Sequence, residues 1–173
     1  ACINVFIPIT VGGGIRTIDD IKNALKSGAD KVAINTKAVK SPSFIIKSSK
    51  IFGAQCIVSS IEAKAIGVNK WEVYIDNGRE PTGKDVIDWA KEVEKLGAGE
   101  IMLTSIDQEG TKRGFDINLC NHVAKNVSIP IIASGGMNSS NDAVELFKNA
   151  NIDAISIAST LHYQIETIQS IKK

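Results

Sequence analysis

Glycine pairs that follow apolar runs are the first feature of this sequence that could do chemistry. Gly12-Gly13-Gly14 follows one such run, and Gly135-Gly136 follows another. Glycine lets the backbone approach a ligand closely, and a helix that begins behind the turn offers free N–H groups to an anion. Each glycine turn is followed one strand later by a hydroxyl residue, Thr36 or Ser159. The duplication predicts two phosphate sites and a bisphosphate substrate. The alternative is that the glycines only form tight turns between strand and helix.

Polar side chains at the ends of the apolar runs form a second group of candidates. The group consists of Asn35, Glu62, Asp107, Glu109 and Ser134. The carboxyl ends of strands form the catalytic face of a barrel. Glu62 directly follows an apolar run, so partial desolvation could raise the pKa of its carboxyl group and suit it to general acid or base catalysis. An equally good interpretation is a solvated glutamate that pairs with Lys64.

Two charged residues begin strands at the opposite face. Lys31 and Glu100 each start an apolar run shortly after a glycine, Gly28 or Gly99. We therefore expect their side chains to gather at the amino-terminal face of a parallel sheet. That face ordinarily contributes stability, and a structural salt bridge is the simplest interpretation.

Histidine, cysteine and metal chemistry receive little support. His122 lies within a predicted helix, and His162 follows the last predicted strand, where it could cap a turn or contact the second phosphate site. No spacing of His, Asp and Glu indicates a metal, and we expect no cofactor. The three cysteines, Cys2, Cys56 and Cys120, are widely spaced, which favours reduced thiols in a cytoplasmic protein over a disulfide framework.

Composition limits the class of protein. Of the 173 residues, 43% are hydrophobic and 23% are charged, which is typical of a globular chain, and we predict one domain over residues 1–173. The net charge of +1 and the aromatic content of 5% argue against a nucleic-acid surface. No apolar run reaches the roughly 18 residues that cross a bilayer, and the start does not resemble a signal peptide.

The elements that must position these groups alternate along the chain. Continuous apolar runs, typical of strands buried on both faces, predict strands at Ile3–Ile9, Lys31–Asn35, Cys56–Ile61, Glu100–Ile106, Ile129–Ser134 and Ala154–Ala158. Amphipathic patterns predict helices at Thr17–Ser27, Ser41–Phe52, Lys84–Leu96, Asp116–Asn126, Ser140–Asn149 and Tyr163–Lys173. One departure is the alternating segment Lys70–Ile75, which with the turn at Asn77-Gly78 predicts a β-hairpin after the third strand.

An internal repeat extends this pattern to a barrel. Gly13-Gly14-Ile15 recurs as Gly135-Gly136-Met137, and residues 30–36 recur as residues 153–159 at nearly the same separation. Two similar halves of four strand–helix units each would make a (β/α)8 barrel of the phosphate-binding type. Such a barrel has about 250 residues. Only six of its strands are predicted here, so we expect that the first two βα units, roughly 70 residues by the same scale, are missing.

These residues resemble the cyclase subunit of imidazole glycerol phosphate synthase, an enzyme of histidine biosynthesis. The strings that carry the resemblance are Ile9–Arg16, Gly28–Asn35, Gly97–Asp107, Gly110–Asp116 and Ile132–Gly136. The likeness covers the whole chain. The first string is shared with a sister barrel, the phosphoribosyl-formimino isomerase of the same pathway, whereas the third string and the hairpin region favour the cyclase.

The resemblance implies a lyase reaction and a partner. Ammonia and a bisphosphate ribulosyl-formimino substrate would give imidazole glycerol phosphate and an aminoimidazole carboxamide nucleotide. A glutaminase subunit, docked at the amino-terminal face as a heterodimer, would supply the ammonia, which would enter past Lys31 and Glu100. The resemblance places the substrate near two groups of residues, Gly14, Asn35 and Thr36 on one side and Gly110, Gly136 and Ser159 on the other, with Thr104 and Ser134 lining the site.

Two positions depart from the family pattern. The family uses a catalytic aspartate on its first strand, which this chain lacks, and another on its fifth strand, where this chain has Glu62. Glu109 likewise stands where the family usually has aspartate. Three hypotheses follow: the cyclase itself, with Glu62 as its acid or base; a paralogous barrel that docks a glutaminase and delivers ammonia to an amidino-sugar pathway of surface glycans; and the sister isomerase.

Overall fold

The fold is an α/β arrangement with a parallel sheet, seen here in a computed structural model that describes residues 5–172. The strands are β1 (Thr10–Gly12), β2 (Lys31–Ile34), β3 (Ile57–Gly67), β4 (Lys70–Ile75), β5 (Glu80–Asp85), β6 (Glu100–Ser105), β7 (Ile131–Ser134) and β8 (Ala154–Ser156). The helices are α1 (Ile18–Lys26), α2 (Thr36–Lys40), α3 (Ser43–Phe52), α4 (Val86–Lys95), α5 (Ile117–Ala124), α6 (Ser140–Asn149), α7 (Ser159–His162) and α8 (Ile168–Ile171), and a 3₁₀ turn spans Ala54–Cys56.

Six parallel strands form the sheet in the order β1-β2-β3-β6-β7-β8. Helices connect successive strands, so the chain builds the alternating architecture of a TIM-type barrel family, as the sequence predicts. Among residues 5–172 no ladder joins β1 to β8, so the sheet is open between these two strands. The open edges expose the inner side of the sheet to solvent.

Alternation along the strands separates a core face from a cleft face. On β2, Val32 and Ile34 are buried, whereas Lys31 and Ala33 are only half-buried. The same alternation continues along β6, where Ile101 and Leu103 are buried between the half-buried residues. Successive side chains of a strand point to opposite faces. The buried set packs under the helices, and the half-buried set lines the interior of the curved sheet.

The predicted hairpin is confirmed and is larger than the sequence suggested. β3 continues past the predicted end at Ile61 to Gly67 and pairs antiparallel with β4, which in turn pairs with β5. Trp71, Val73 and Ile75 of β4 are buried in the core. The three strands are therefore one rigid extension of the sheet that rises from the carboxyl end of β3.

The first predicted strand, Ile3–Ile9, is wrong in position. Residues 3 and 4 lie outside the described part of the chain; residues 5–9 are not strand, and Ile7 is 72% exposed. Strand β1 begins at Thr10, opposite Lys31, and before it only the Ile9 carbonyl accepts from backbone amides of this neighbour, those of Asp30 and Lys31. Hydrophobicity predicted a strand in this region, but pairing with β2 determined the residue at which the strand starts.

Two helix predictions also need correction. The predicted helix Ser41–Phe52 begins at Ser43 without a side-chain cap, and a separate short helix, α2, precedes it. In place of the predicted helix Tyr163–Lys173, the described residues form α7 and α8, and Lys173 lies outside them. In contrast, α6 has the predicted bounds, since Ser139 and Asp142 form a capping box at its start. Across residues 5–172, none of the helices has the length and apolarity needed to cross a bilayer.

Candidate active site

A large cleft opens at the carboxyl ends of β1, β2 and β3. Its volume is about 840 Å³. It is lined by Gly12, Gly13, Gly14, Ile15, Arg16, Ala33, Asn35, Thr36, Lys37, Lys40, Ser60, Glu62, Asp76, Asn77, Glu80 and Met102. The structure thus brings together the first glycine turn, the residues that follow β2 and the candidate acid or base on β3. These residues lie far apart in the sequence.

Glu62 lies at the centre of this arrangement. It is half-buried, and the Gly78 N–H of the β4–β5 turn donates a hydrogen bond of 2.6 Å to Glu62 Oε2. Burial raises the pKa of the Glu62 carboxyl, and the negative charge of Asp76 acts in the same direction. The Gly78 amide and the Asn35 side chain oppose this shift by hydrogen bonding to the carboxylate. A half-buried carboxyl with a raised pKa suits proton transfer near neutral pH.

The alternative partner for Glu62, Lys64, is directed elsewhere. Its ammonium group lies 5.4 Å from the centroid of the Tyr74 ring, a cation–π contact. Within the described residues no salt bridge joins Lys64 to Glu62. The desolvated interpretation of Glu62 is therefore the one that fits the structure.

The β4–β5 turn ties the Glu62 region to the residues that follow β2. Asn35 Nδ2 donates to the Tyr74 carbonyl at 3.2 Å, and the Asp76 N–H donates to Thr36 Oγ1 at 3.1 Å. Asn35 Oδ1 is buried without a hydrogen-bond partner. A buried acceptor of this kind costs free energy unless a donor reaches it. The sequence predicts the hairpin to which this turn belongs, but nothing in the sequence pattern predicts that the turn lies beside Glu62.

The first glycine turn is open to the cleft. Gly13 and Gly14 have φ values of +87° and +73°, and a Cβ built at either position would meet nothing within 4 Å. Side-chain crowding therefore does not require glycine there, whereas the left-handed backbone does. Asn35, at the N-cap of α2, makes no side-chain cap to that helix. The turn and the start of α2 leave backbone groups facing the same space.

Carboxylates of the chain itself lie at the starts of the two helices behind the glycine turns. At α1, the Arg16 and Thr17 N–H groups donate to Asp20 Oδ2 at 2.9 and 2.7 Å. At α6, the Asn138 and Ser139 N–H groups donate to one oxygen of Asp142. Each of these helix starts already holds a carboxylate of the chain itself, which disfavours a second anion there. The glycine turns and the residues after β2 and β8 border the two pockets at this edge of the sheet.

The second glycine turn forms a smaller pocket of about 30 Å³ at the ends of β7 and β8. It is lined by Glu109, Ser134, Gly135, Gly136, Met137, Ser156, Ile157, Ala158 and Ser159. A Cβ at Gly135 would lie 2.9 Å from the Ser105 carbonyl oxygen, so the turn packs tightly against its neighbour. These glycines make a tight turn and also border a pocket. Gly110 does not line this pocket.

Thr104 belongs to the row of residues that connects the two pockets. The strand registers place Glu62 beside Thr104, and Thr104 beside Ser134. Ser134 lies in turn beside Ser156. Because paired residues of parallel strands share a face, this row crosses the sheet from the Glu62 region to the second pocket.

Lys31 and Glu100 meet at the opposite end of the sheet interior. They begin β2 and β6, and the Lys31 ammonium group forms a salt bridge with Glu100 Oε1. Their side chains are 30% and 19% exposed. The predicted structural salt bridge at the amino-terminal face is confirmed.

The remaining candidates take structural positions. His122 Nδ1 lies 2.8 Å from the Asn118 carbonyl oxygen, and its ring packs against Trp71. His162 packs edge-on against Tyr163 and does not line the second pocket. Asp107 accepts a hydrogen bond from the Ala65 N–H at 2.7 Å.

The cysteines and potential metal ligands among residues 5–172 form no candidate site. Burial raises the pKa of the Cys120 thiol to about 12, so this group stays protonated. Cys56 is also a free thiol, and Cys2 lies outside the described residues. In the same part of the chain, no cluster of three or more His, Cys, Asp and Glu side chains could hold a metal ion.

Comparisons with known proteins agree with the geometry. The family model described as histidine biosynthesis protein matches residues 1–167. The chain is 50% identical to the imidazole glycerol phosphate synthase subunit HisF of Methanococcus vannielii, with 98% of this chain and 70% of the relative covered. It is also 50% identical to the subunit of the same name from Bacillus cereus strain G9842, with 98% of this chain and 67% of the relative covered.

Proposed function

Because this chain belongs to the histidine biosynthesis protein family, we propose that it is the ammonia-dependent cyclase subunit of an imidazole glycerol phosphate synthase. The observation that carries the proposal is geometric. Glu62, on β3, lines the glycine-bordered cleft at the ends of β1 and β2, and the row through Thr104 and Ser134 leads from it to the glycine-bordered pocket at the ends of β7 and β8. The names and identities of the two relatives support the same reaction.

The two glycine turns hold the ends of the bisphosphate substrate. Gly13 and Gly14, with Asn35 and Thr36, bind one phosphate in the large cleft. Gly135 and Gly136, with Ser159, bind the other in the small pocket, and Glu109 and Gly110 belong to the loop beside it. Binding at both ends stretches the substrate along the row that contains Thr104 and Ser134. This positioning converts cyclisation into a reaction between groups held close together.

Glu62 transfers the proton. Addition of ammonia and closure of the imidazole ring both require protons to move between nitrogen and oxygen atoms of the substrate. A carboxyl group whose pKa is raised by burial can accept a proton in one step and return it in the next. The Gly78 amide fixes one carboxylate oxygen, so the other oxygen, Oε1, is the one that faces the substrate.

Ammonia enters from the amino-terminal face, where a glutaminase subunit docks to form a heterodimer. The support is the position of Lys31 and Glu100 at the far end of the same interior that holds the cleft. Between the two faces lie Ala33, Ser60 and Met102, which line the cleft and are not charged. A small neutral molecule can pass through an uncharged interior because no ionised side chain there binds it.

Two further βα units close the sheet into an eight-stranded barrel. The support is that six parallel strands are present, whereas a barrel of this class has eight, and that β1 and β8 do not pair in the described part of the chain. The same units would bring a second carboxylate to the cleft. Glu62 would then act with that group.

The test is an assay of the full-length protein with the bisphosphate ribulosyl-formimino substrate and an ammonium salt, followed by absorbance. We expect turnover, and we expect Glu62→Ala to reduce kcat by about 100-fold or more, the usual contribution of a general acid or base. A matched control is Glu92→Ala, which removes a carboxylate from the exterior helix α4. Absence of turnover in the wild type, unrestored by Glu62→Asp, would favour the ammonia-delivering paralogue.

A further inference from the structure

The two anion sites differ in charge. The large cleft is lined by three cations, Arg16, Lys37 and Lys40, and by three carboxylates, Glu62, Asp76 and Glu80. The small pocket is lined by the Glu109 carboxylate and otherwise by uncharged residues, so within residues 5–172 no Lys, Arg or His borders it. A phosphate dianion is attracted by a cation that no carboxylate neutralises and is repelled by an unpaired carboxylate. The two ends of a bisphosphate are therefore bound by different interactions.

Two of these cations, Arg16 and Lys37, have no carboxylate partner among the described residues, and of the two only Lys37 is half-buried. The two carboxylates on the hairpin side are already paired: Lys40 lies 3.8 Å from Glu80, and Arg79 lies 3.8 Å from Asp76. In the described chain, no carboxylate oxygen lies within 4.0 Å of the Lys37 ammonium group. Its charge is available to a ligand.

The surroundings of Lys37 hold its side chain in place. The ammonium group lies 5.7 Å from the centroid of the Phe44 ring, and Phe44 is itself buried in the core. Lys37 is half-buried, so part of its stem is packed against the protein. A side chain that is already ordered loses less conformational entropy when a ligand binds.

Lys37 also lies beside the residues assigned to the first phosphate. It follows Thr36 directly in the chain and lines the same cleft as Gly13 and Gly14. An ammonium group near these positions can form a charge-assisted hydrogen bond to a phosphate oxygen, which is about twice as strong as a neutral one.

We propose that Lys37 is a specificity-determining residue that selects a phosphate monoester dianion at the first site. The identity of the whole substrate rests on the proposed function, but the selection of a dianion does not. The second site, to which residues 5–172 contribute no cation, would hold the other phosphate through its uncharged groups. The phosphate bound at the first site then contributes most of the electrostatic part of the ligand's affinity.

The experiment compares three variants of the full-length protein. Lys37→Met removes the charge and keeps an unbranched side chain against Phe44, Lys37→Arg keeps the charge, and Lys22→Met removes an exposed lysine of α1 that does not line the cleft. Binding of inorganic phosphate is measured by calorimetry at pH 6 and pH 8. Across this range inorganic phosphate passes from mostly monoanion to mostly dianion, because its second ionisation falls between these two pH values.

We expect Lys37→Met to weaken phosphate binding at pH 8 by about tenfold, which corresponds to about 1.4 kcal/mol. The gain in affinity of the wild type between pH 6 and pH 8 should shrink in this variant. Lys37→Arg and Lys22→Met should bind within about twofold of the wild type, since both keep the charge at position 37. With the bisphosphate substrate, Lys37→Met should raise KM and leave kcat unchanged.

Two results would overturn the proposal. One is phosphate affinity that is equal in the wild type and Lys37→Met at both pH values, including the case in which neither binds. The other is an equal loss in Lys22→Met, which would indicate a general effect of net charge. If phosphate binding depends on Lys37 but the wild type shows no turnover, the cyclase proposal fails while the role of Lys37 stands.

Discussion

Replacing Gly136 by alanine should separate the tight-turn role of a glycine from its ligand-facing role. Gly136 has φ +95°, and a Cβ there would lie closer to the Gly114 carbonyl oxygen than real Cβ atoms come to any atom. Gly114 N also donates to the Gly136 carbonyl at 2.9 Å, so two backbone segments are in direct contact. Because the obstacle is backbone, it cannot move aside as a flexible side chain would.

Gly14 is the matched control. It has a similar positive φ of +73°, but a Cβ there meets nothing within 4 Å. Gly14→Ala therefore adds only the cost of a left-handed alanine, about 1–2 kcal/mol. Gly136→Ala adds the same cost and a backbone displacement, so we expect about 3–5 kcal/mol in total, the range of the most damaging single substitutions.

The two variants should differ clearly in thermal and urea unfolding. For a chain of this size each kcal/mol lowers Tm by about 2–4 °C, so Gly136→Ala should unfold several degrees below Gly14→Ala. The displacement would also move the loop that carries Glu109 and Gly110, because Gly114 ends it. If the two variants unfold within about 0.5 kcal/mol of each other, the argument from backbone contact at Gly136 is refuted.

Three further predictions follow from the site and its supports. The rate should depend on an ionised Glu62, so the acid limb of the pH–rate profile should lie above the ordinary carboxyl pKa of 4.5. Because burial raises the pKa of this carboxyl in the folded state, the free energy of unfolding should fall as the pH rises from the ordinary pKa through the folded-state pKa. Glu62→Gln should flatten this fall, which urea unfolding from pH 4 to 8 would measure. Lys31→Met leaves Glu100 without its partner and should reduce glutamine-dependent turnover with a glutaminase subunit several-fold while ammonium-dependent turnover is kept; equal loss of both rates would contradict an entrance role. Trp71→Ala removes a side chain that is only 3% exposed and should cost about 3–5 kcal/mol in urea unfolding, whereas Trp71→Phe should cost less; a change below 1 kcal/mol for Trp71→Ala would show that the hairpin is not anchored there.

The spacing of apolar residues, together with the glycines and capping residues between the apolar runs, determined most of the secondary structure without help from the tertiary fold. Apolar runs located β2, β6, β7 and β8 within a few residues, because strands buried on one face by helices and bordering the interior on the other must be apolar along most of their length. Capping residues located α1 and α6, since Thr17 accepts from the Asp20 N–H and Asp142 accepts from the Ser139 N–H. The repeat of glycine turns likewise predicted two pockets at the same edge of the sheet.

Other features depended on contacts between distant segments. The start of β1 is set by pairing with Lys31, and the short helix α2 has no strong sequence signal of its own. The capping carboxylates Asp20 and Asp142 were visible in the sequence as helix-start residues. That each of them accepts from two amides just before its helix could be seen only from the hydrogen bonds.

The environment of Glu62 shows most clearly what only the tertiary structure decided. The sequence placed a carboxylate at the end of a strand and left solvation and desolvation equally open. The structure decided between them, because the β4–β5 turn brings Gly78 to the carboxylate and Tyr74 holds Lys64 away from it. The chemical type of a residue is local, whereas its pKa depends on every group that folding brings within a few ångströms.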